Sequence, residues 1–374
     1  MREFTDLCPA PPHWDLDWST VREAFGWVRD LAGVEQDPVH HAEGDVEVHT
    51  RMACEALAEL PAWRARPESE RVLLFTAVLL HDVAKPVCTR RDEEGRVTAH
   101  GHSRRGDLMA RRILWEVGAP IDRREHVASL VRHHQLPFWA LERPDPRKTA
   151  FRVSLTARND DLALLATADI LGRRCEDTAE VLENIDLYTE YCAEQRCLDG
   201  PRDFPSDHAR FWFFRKPDRD PDYAAHDDTR LTVTVMSGLP GVGKDHWIGE
   251  HHPDLPVVSL DALRAELGIA ATADQRPVAA AAAERAREHL RAGRSFVWNA
   301  THVSRDLRDR SVGLAADYRA RVEIMALEAP PRVLRDRMAR RSAPVPTAAM
   351  RRLVHRWEAP DPTEAHRVVH DVTA

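Results

Sequence analysis

Leu231-Thr-Val-Thr-Val-Met236-Ser-Gly238-Leu239-Pro240-Gly241-Val242-Gly243-Lys244-Asp245 is the stretch that decides the fold of the C-terminal part of this chain. Its first six residues alternate apolar and β-branched side chains, which predicts a buried strand. A glycine-rich turn follows, and then a helical stretch. Strand, turn and helix in that order, with a lysine at the helix start, form a phosphate-binding P-loop. Glycines let backbone N–H groups turn inward toward phosphate oxygens, and the helix N-terminus adds its positive end. Gly238, Leu239, Pro240, Gly241, Val242, Gly243, Lys244 and Asp245 are the expected nucleotide cradle, with Lys244 reaching the β- and γ-phosphates. Asp245 stands where Ser or Thr usually ligates Mg²⁺; a carboxylate can hold the metal, but it adds negative charge beside the phosphates.

Downstream, 257–260, 295–299 and 322–327 read as further buried strands, and the alanine-rich 277–292 as a helix between them. Alternating strands and helices imply a parallel α/β sheet. Asp261 follows the strand 257–260, the second of this half counting 231–236, where an open α/β sheet places reactive groups. A carboxylate there can accept the proton of an attacking hydroxyl, and Arg264, one turn on, can grip a phosphate. Asn299-Ala-Thr301 ends the third strand and can orient a donor, an acceptor or a metal-bound water. After the last strand, Arg337, Arg340 and Arg341 lie in an arginine-rich helical stretch that can act as a lid over a transferring phosphate.

Upstream, the texture is helical. Segments 46–60, 70–81, 104–117, 124–133 and 160–174 carry apolar residues at three- and four-residue spacing, with Pro and Gly between them and no convincing strand. On these helices fall His49, His81-Asp82, His102, His133-His134 and Asp169. Imidazole and carboxylate suit divalent Mn, Fe, Co, Ni or Zn. Helices bundled together can point His49, His81, Asp82 and Asp169 at one ion, with Asp82 bridging to a second held by His102 and His134. Two such ions activate a water and clamp a phosphate. Arg173, one turn after Asp169, can also reach that phosphate, and His41 is a further candidate before Glu43-Gly44-Asp45.

The 374 residues exceed one average domain, so two are expected. A net charge of -8 excludes an overall basic field, though not a local groove for a strand end. Lysine occurs only as Lys85, Lys148, Lys216 and Lys244, and two of these fall inside the motifs. The cysteines form no Cys-x-x-Cys pair, which speaks against a zinc ribbon or disulfide framework and for a cytoplasmic protein. No basic-then-apolar leader opens the chain, and its longest apolar run, 72–80, is too short for a bilayer. The Asp-, Pro- and Arg-rich stretch around 205–229 reads as a linker. Its Phe211-Trp212-Phe213-Phe214 either packs the two domains together or offers bases a stacking platform.

The P-loop, Asp261-x-x-Arg264 and the arginine lid resemble polynucleotide 5′-hydroxyl kinases over 231–360. That resemblance implies ATP or another NTP with Mg²⁺ as donor, and Asp261 as general base. Leu79-Leu-His81-Asp82-Val-Ala-Lys85-Pro86, Gly95-Arg-Val, Gly101-His102 and Val131-Arg-His133-His134 resemble the HD phosphohydrolase superfamily over 45–174. The likeness is greatest to the HD domain of CCA-adding nucleotidyltransferases. It implies metal-ligand roles for His49, His81, Asp82 and Asp169, extended to His102 and His134, and makes Lys85 a phosphate contact or the acid that assists the leaving group. Together the halves resemble bacterial bifunctional end-healing enzymes. The expected organisation is an all-α HD phosphoesterase domain (1–204), a linker (205–229) and an α/β P-loop kinase domain with a parallel sheet (230–374). The expected partners are RNA or DNA strand ends and a separate polynucleotide ligase, with no membrane and the oligomeric state open. Two rivals stay in view: a nucleotide-metabolism enzyme pairing an HD nucleotidase with a small-metabolite kinase, and an HD hydrolase regulated by NTP.

Overall fold

A computed structural model describes residues 2–142, 145–340 and 345–373. The chain divides into two compact units, Met1–Asp203 and Phe204–Ala374.

The first unit is helical. Its site-bearing helices are Val46–Glu59, Glu68–Leu80, His102–Glu116, Ile121–His133 and Asn159–Leu171, close to the segments read from periodicity. Asp45 starts the first of them by accepting the Val48 N–H at 2.9 Å, an ordinary N-cap. Glu68–Leu80 is buried from Val72 to Leu80 save Leu73, and Val46–Glu59, Ile121–His133 and Asn159–Leu171 pack on it, while His102–Glu116 packs on Ile121–His133. Val46–Glu59 and Asn159–Leu171 come together at Gly172, where an added Cβ would lie 2.6 Å from the Ala53 nitrogen. Only glycine permits that approach, and the approach lets His49 and Asp169 meet.

This unit also holds a strand pair the sequence did not announce: β1 (Arg90–Arg91) pairs antiparallel with β2 (Val97–Thr98). Two residues per strand are too few to show a period. The turn between them is held by Asp92, which accepts the Glu94 and Arg96 N–H groups at 3.1 and 2.8 Å.

The second unit is an α/β domain with five parallel strands: β3 (Leu231–Ser237), β4 (Val257–Ser259), β5 (Phe296–Asn299), β6 (Ala320–Glu328) and β7 (Arg367–Val372). Their order is β4-β5-β3-β6-β7. All C-terminal ends therefore share one side of the sheet, and the P-loop leaves the central strand there. β7 was not anticipated, because Arg367, His370 and Asp371 interrupt its apolar pattern at the sheet edge.

The stretch expected as a linker holds a helix, Asp207–Arg215, capped by Ser206, which accepts the Ala209 N–H at 3.0 Å. Phe211 is wholly buried in the α/β core with Val233, Val322 and Ile324. Arg210 ties the helix to the Pro362 and His366 carbonyls at 3.1 and 2.7 Å. Chain beyond Asp203 is thus part of the α/β unit. Phe211 and Phe213, both buried, offer no free face to a base.

Candidate functional site

Among the described residues the helical unit collects three trios of side chains able to ligate a metal: two buried ones, His49 with His81 and Asp169 and Asp82 with His102 and His134, and a half-buried one, His41 with Glu43 and His49. His49 Nε2 lies 3.1 Å from His81 Nε2 and 3.2 Å from Asp169 Oδ1. His102 Nε2 lies 3.2 Å from His134 Nε2. Asp82 stands between the two buried trios, with Oδ2 3.2 Å from His81 Nε2 and Oδ1 3.4 Å from His102 Nε2. All six side chains of these two trios are buried.

The tautomers say what these contacts mean. His81, His102 and His134 each donate Nδ1–H to a backbone carbonyl, those of Val78, Ala99 and Val131, at 2.6, 2.8 and 2.8 Å. The proton sits on Nδ1, so in the neutral ring Nε2 carries a lone pair. Two Nε2 lone pairs facing each other at 3.2 Å repel unless a cation lies between them. Asp82 Oδ1 is buried and accepts no hydrogen bond, as a carboxylate oxygen kept for a metal would be. Burial drives His134 down to about 3, with His102 and His81 adding to the effect, and burial also lowers His102. Both rings are therefore neutral, the form that ligates. For His81 burial is outweighed by the Asp82 and Asp169 carboxylates, which raise it. A donor set of four imidazoles and two carboxylates fits Mn, Fe, Co, Ni or Zn and is poorly suited to Ca²⁺ or Mg²⁺.

Around this set lie the phosphate-directed groups. Lys85 Nζ is 2.7 Å from Asp82 Oδ2, and Arg173 spans both Asp169 oxygens at 2.9 Å. Burial would raise both acids, but Lys85 and His81 hold Asp82 well below the carboxylate range, and Arg173 and His49 do so for Asp169. His41 Nδ1 is 2.8 Å from Glu43 Oε1, and His49 Nδ1 lies 3.0 Å from the same oxygen. Glu43 thus places a carboxylate behind His49, although His49 Nδ1 makes no hydrogen bond of good geometry to it, while it accepts from His41. It escaped the sequence reading although it sits two residues from His41; its signal was a carboxylate beside the candidate histidine. Gln36, which accepts from Lys85 Nζ at 2.6 Å, gave no signal at all.

His133 is a correction. It belongs to none of the trios, and its Nδ1 donates to the Ser129 carbonyl at 2.9 Å. Neighbouring residues on a helix point roughly 100° apart, so His133 and His134 cannot both face the cluster.

In the α/β unit the P-loop runs from β3 into the Lys244–His251 helix. Gly238 has φ +150, and a Cβ there would lie 2.3 Å from the Leu327 oxygen, so only glycine fits. Lys244 Nζ donates to the Gly238 and Leu239 carbonyls at 3.0 and 3.1 Å, lying along the cradle it is expected to serve. Asp245 Oδ1 accepts from Asn299 Nδ2 at 2.6 Å, which joins the P-loop helix to the end of β5. Asp261 is paired with Arg264 on its own helix, and Arg264 also donates to Gln275 Oε1 at 2.7 Å. The three expected lid arginines separate. Arg337 donates to the Val242 carbonyl and Thr373 Oγ1 at 3.1 and 2.8 Å, drawing the Pro331–Ala339 helix onto the loop. Arg340 is exposed at the end of that helix, and Arg341 lies outside the described residues.

Residues 45–174 match the HD domain family. Over 113 residues the chain is 37% identical to the multifunctional CCA protein of Halorhodospira halophila. It is 38% identical over 113 residues to the A-adding tRNA nucleotidyltransferase of Deinococcus radiodurans. These matches take in 30% and 29% of this chain and 24% of each relative, so the likeness is to one part of larger proteins. Among solved structures, the chain is similar to a candidate kinase from Chloroflexus aurantiacus, with 21% identity and a TM-score of 0.33 over 39% of this chain and 86% of that one. It is also similar to a sugar kinase from Janibacter sp., with 23% identity and a TM-score of 0.29 over 38% and 85%. Residues 233–360 match the AAA domain family. The chain therefore carries an HD domain over residues 45–174, followed by an AAA domain of the P-loop kind over residues 233–360.

Proposed function

We propose that the chain is a bifunctional end-healing enzyme: its HD domain removes a 2′,3′-cyclic phosphate from a nucleic-acid end, and its P-loop domain phosphorylates a 5′-hydroxyl. The observation that carries this reading is the pairing, in one chain, of two phosphoryl sites of opposite sense. One is a buried histidine–aspartate cluster bordered by Lys85 and Arg173, built for hydrolysis. The other is an NTP cradle followed by an acid at a strand end, suited to transfer. RNA cleavage that leaves a cyclic phosphate and a 5′-hydroxyl needs both operations before ligation.

In the HD site, divalent ions held by the two buried trios would supply an activated water and neutralise phosphate charge. Arg173 positions a phosphate oxygen, and Lys85 hands a proton to the leaving ribose oxygen as the water oxygen bonds to phosphorus and the P–O bond to the ribose breaks. Asp82 and Asp169 keep both cations aimed inward. Glu43 holds His41 and places its charge behind His49. A second hydrolysis releases the remaining monoester phosphate.

In the kinase site, Asp261 accepts the proton of the 5′-hydroxyl as its oxygen attacks the γ-phosphorus and the bond to the β-phosphate bridging oxygen breaks. Arg264 stands beside it for the acceptor phosphate. Lys244 moves from the loop carbonyls to the donor phosphates, and Arg337 supports the loop from the lid side. Asp245, whose Oδ1 accepts from Asn299, would be the P-loop carboxylate available to a Mg²⁺ that neutralises the donor phosphates. RNA or DNA ends are the acceptors, and a separate polynucleotide ligase would use the products. Among the described residues no helix is long and apolar enough to cross a membrane.

The test supplies γ-labelled ATP with a 5′-hydroxyl oligonucleotide, and separately a cyclic-phosphate-ended oligonucleotide with Mn, Co, Ni, Fe or Zn. Labelled 5′-phosphate and a free 3′-end are expected. No label on the oligonucleotide, with a free nucleoside phosphorylated instead, would replace the kinase reading with a nucleotide-metabolism one.

A further inference from the structure

Beside the metal cluster lies a cavity of about 380 Å³, and its lining joins Lys85, His102 and Arg173 to Trp139. The cations and the cluster account for a phosphate. They do not account for a tryptophan that is 44% exposed in the same cavity. Trp139 ends the short Leu136–Trp139 helix, and its neighbour Phe138 fixes that helix in place. Phe138 is buried among Ala163, Ala166, Ile170, Val181 and Ile185. Arg173, the arginine that spans Asp169, lies over the Phe138 ring at 4.9 Å. The backbone that carries Trp139 is therefore anchored to the same arginine that faces the phosphate. Backbone anchored this way sets an exposed indole beside the candidate phosphate site, and a nucleobase stacks on such a surface whatever its identity.

We propose that Trp139 is the base-stacking platform of the HD site: the terminal nucleobase of the substrate lies on its indole while the phosphate meets Lys85 and Arg173. The cavity is thus built for a nucleoside phosphate or a strand end and discriminates against phosphoesters without a base. Stacking of this kind is sequence-tolerant, so all four bases are accepted. This rests on the hydrolytic reading of the HD domain given above.

The experiment compares the wild-type chain, Trp139→Ala and Trp139→Phe on two manganese-loaded reactions. One substrate is an oligonucleotide ending in a nucleoside 2′,3′-cyclic phosphate. The other is the same oligonucleotide with an abasic terminal ribose cyclic phosphate. For Trp139→Ala, KM for the base-bearing end is expected to rise about tenfold with kcat little changed, whereas KM for the abasic end stays within twofold of wild type. Trp139→Phe, which keeps a ring, restores most of the loss. Equal effects of Trp139→Ala on both ends, or on neither, would overturn the assignment while leaving the hydrolytic reading intact. A wild-type chain that opens neither end would overturn the hydrolytic reading and the platform together.

Discussion

Stripping divalent metal should destabilise the helical unit by a large and specific amount. In the cluster four imidazoles and two carboxylates converge, His102 and His134 turn Nε2 lone pairs on each other, and Asp82 Oδ1 is buried without a hydrogen-bond partner. A metal that binds this folded arrangement and not the unfolded chain adds about 4 kcal/mol when present at a thousandfold its dissociation constant. For a unit of this size each kcal/mol moves the midpoint by roughly 2–4 °C, so the loaded protein should melt about 8–16 °C above the chelated one. Calorimetry of the full chain with Mn, Co, Ni, Fe or Zn, against the same sample in excess chelator, measures the shift. Asp82→Asn should reduce it to a few degrees, because Asp82 alone serves both buried trios. The comparison must be of shifts and not of absolute midpoints. Asp82→Asn also removes the carboxylate beside the buried Lys85 and so lowers the baseline by about 1–3 kcal/mol. His133→Ala is the control: it lies beside a ligand on the same helix but outside the cluster, and it should keep the full shift. No shift with any of these metals would refute the lone-pair argument, as would a full shift that survives Asp82→Asn.

Three further outcomes are expected. Asp261→Asn should lower the kinase kcat by about 10²- to 10⁴-fold and leave cyclic-phosphate hydrolysis unchanged, measured on the two ends separately; loss of both would make the sites interdependent. Gly238→Ala forces a Cβ to 2.3 Å from the Leu327 oxygen at φ +150, so it should destabilise the α/β unit by about 2–5 kcal/mol and abolish nucleotide binding, read by thermal melting and ATP titration. Burial lowers His302 to about 4, below the roughly 6.5 of an exposed imidazole, so the unfolded chain takes up its proton first as pH falls. That contribution is complete above pH 6.5 and is lost between 6.5 and 4; at pH 5 it costs about 2 kcal/mol, and melting of His302→Gln at pH 7.5 and 5 should show a smaller drop than wild type.

What the sequence disclosed follows from where each residue sits. The P-loop was legible because strand, glycines and lysine must be contiguous. The clustered histidines and aspartates were legible because each begins, ends or lies within a periodic helix, and His81-Asp82 closes the apolar helix that became the central one. Adjacency misled at His133-His134, where only helical geometry decides which ring turns inward. β7 stayed hidden because an edge strand can carry charges on half its positions, and the residues after Asp203 looked like a linker although Ser206 caps a helix there. Glu43 and Gln36 lie in a loop without periodicity, and their roles depend on chain far away in sequence, Arg174 and Lys85.

Those late-found residues alter the charge balance of the HD site, and that balance bears on mechanism. Three buried or half-buried carboxylates, Asp82, Asp169 and Glu43, face two fixed cations, Lys85 and Arg173. The histidines at His102 and His134 are held neutral, so they contribute none, whereas Asp82 and Asp169 raise His81 toward its charged form. Without metal the site thus has no surplus positive charge to offer a phosphate. A divalent ion supplies it, and a second deepens the attraction. Lys85 and Arg173 thus do not bind phosphate on their own account; they are already matched by Asp82 and Asp169, and it is the metal that frees their charge for the substrate. Phosphate affinity and metal affinity must then be linked, each strengthening the other by the same factor. An HD site whose cations acted independently of metal would bind inorganic phosphate equally well with and without chelator, and that single titration separates the two arrangements.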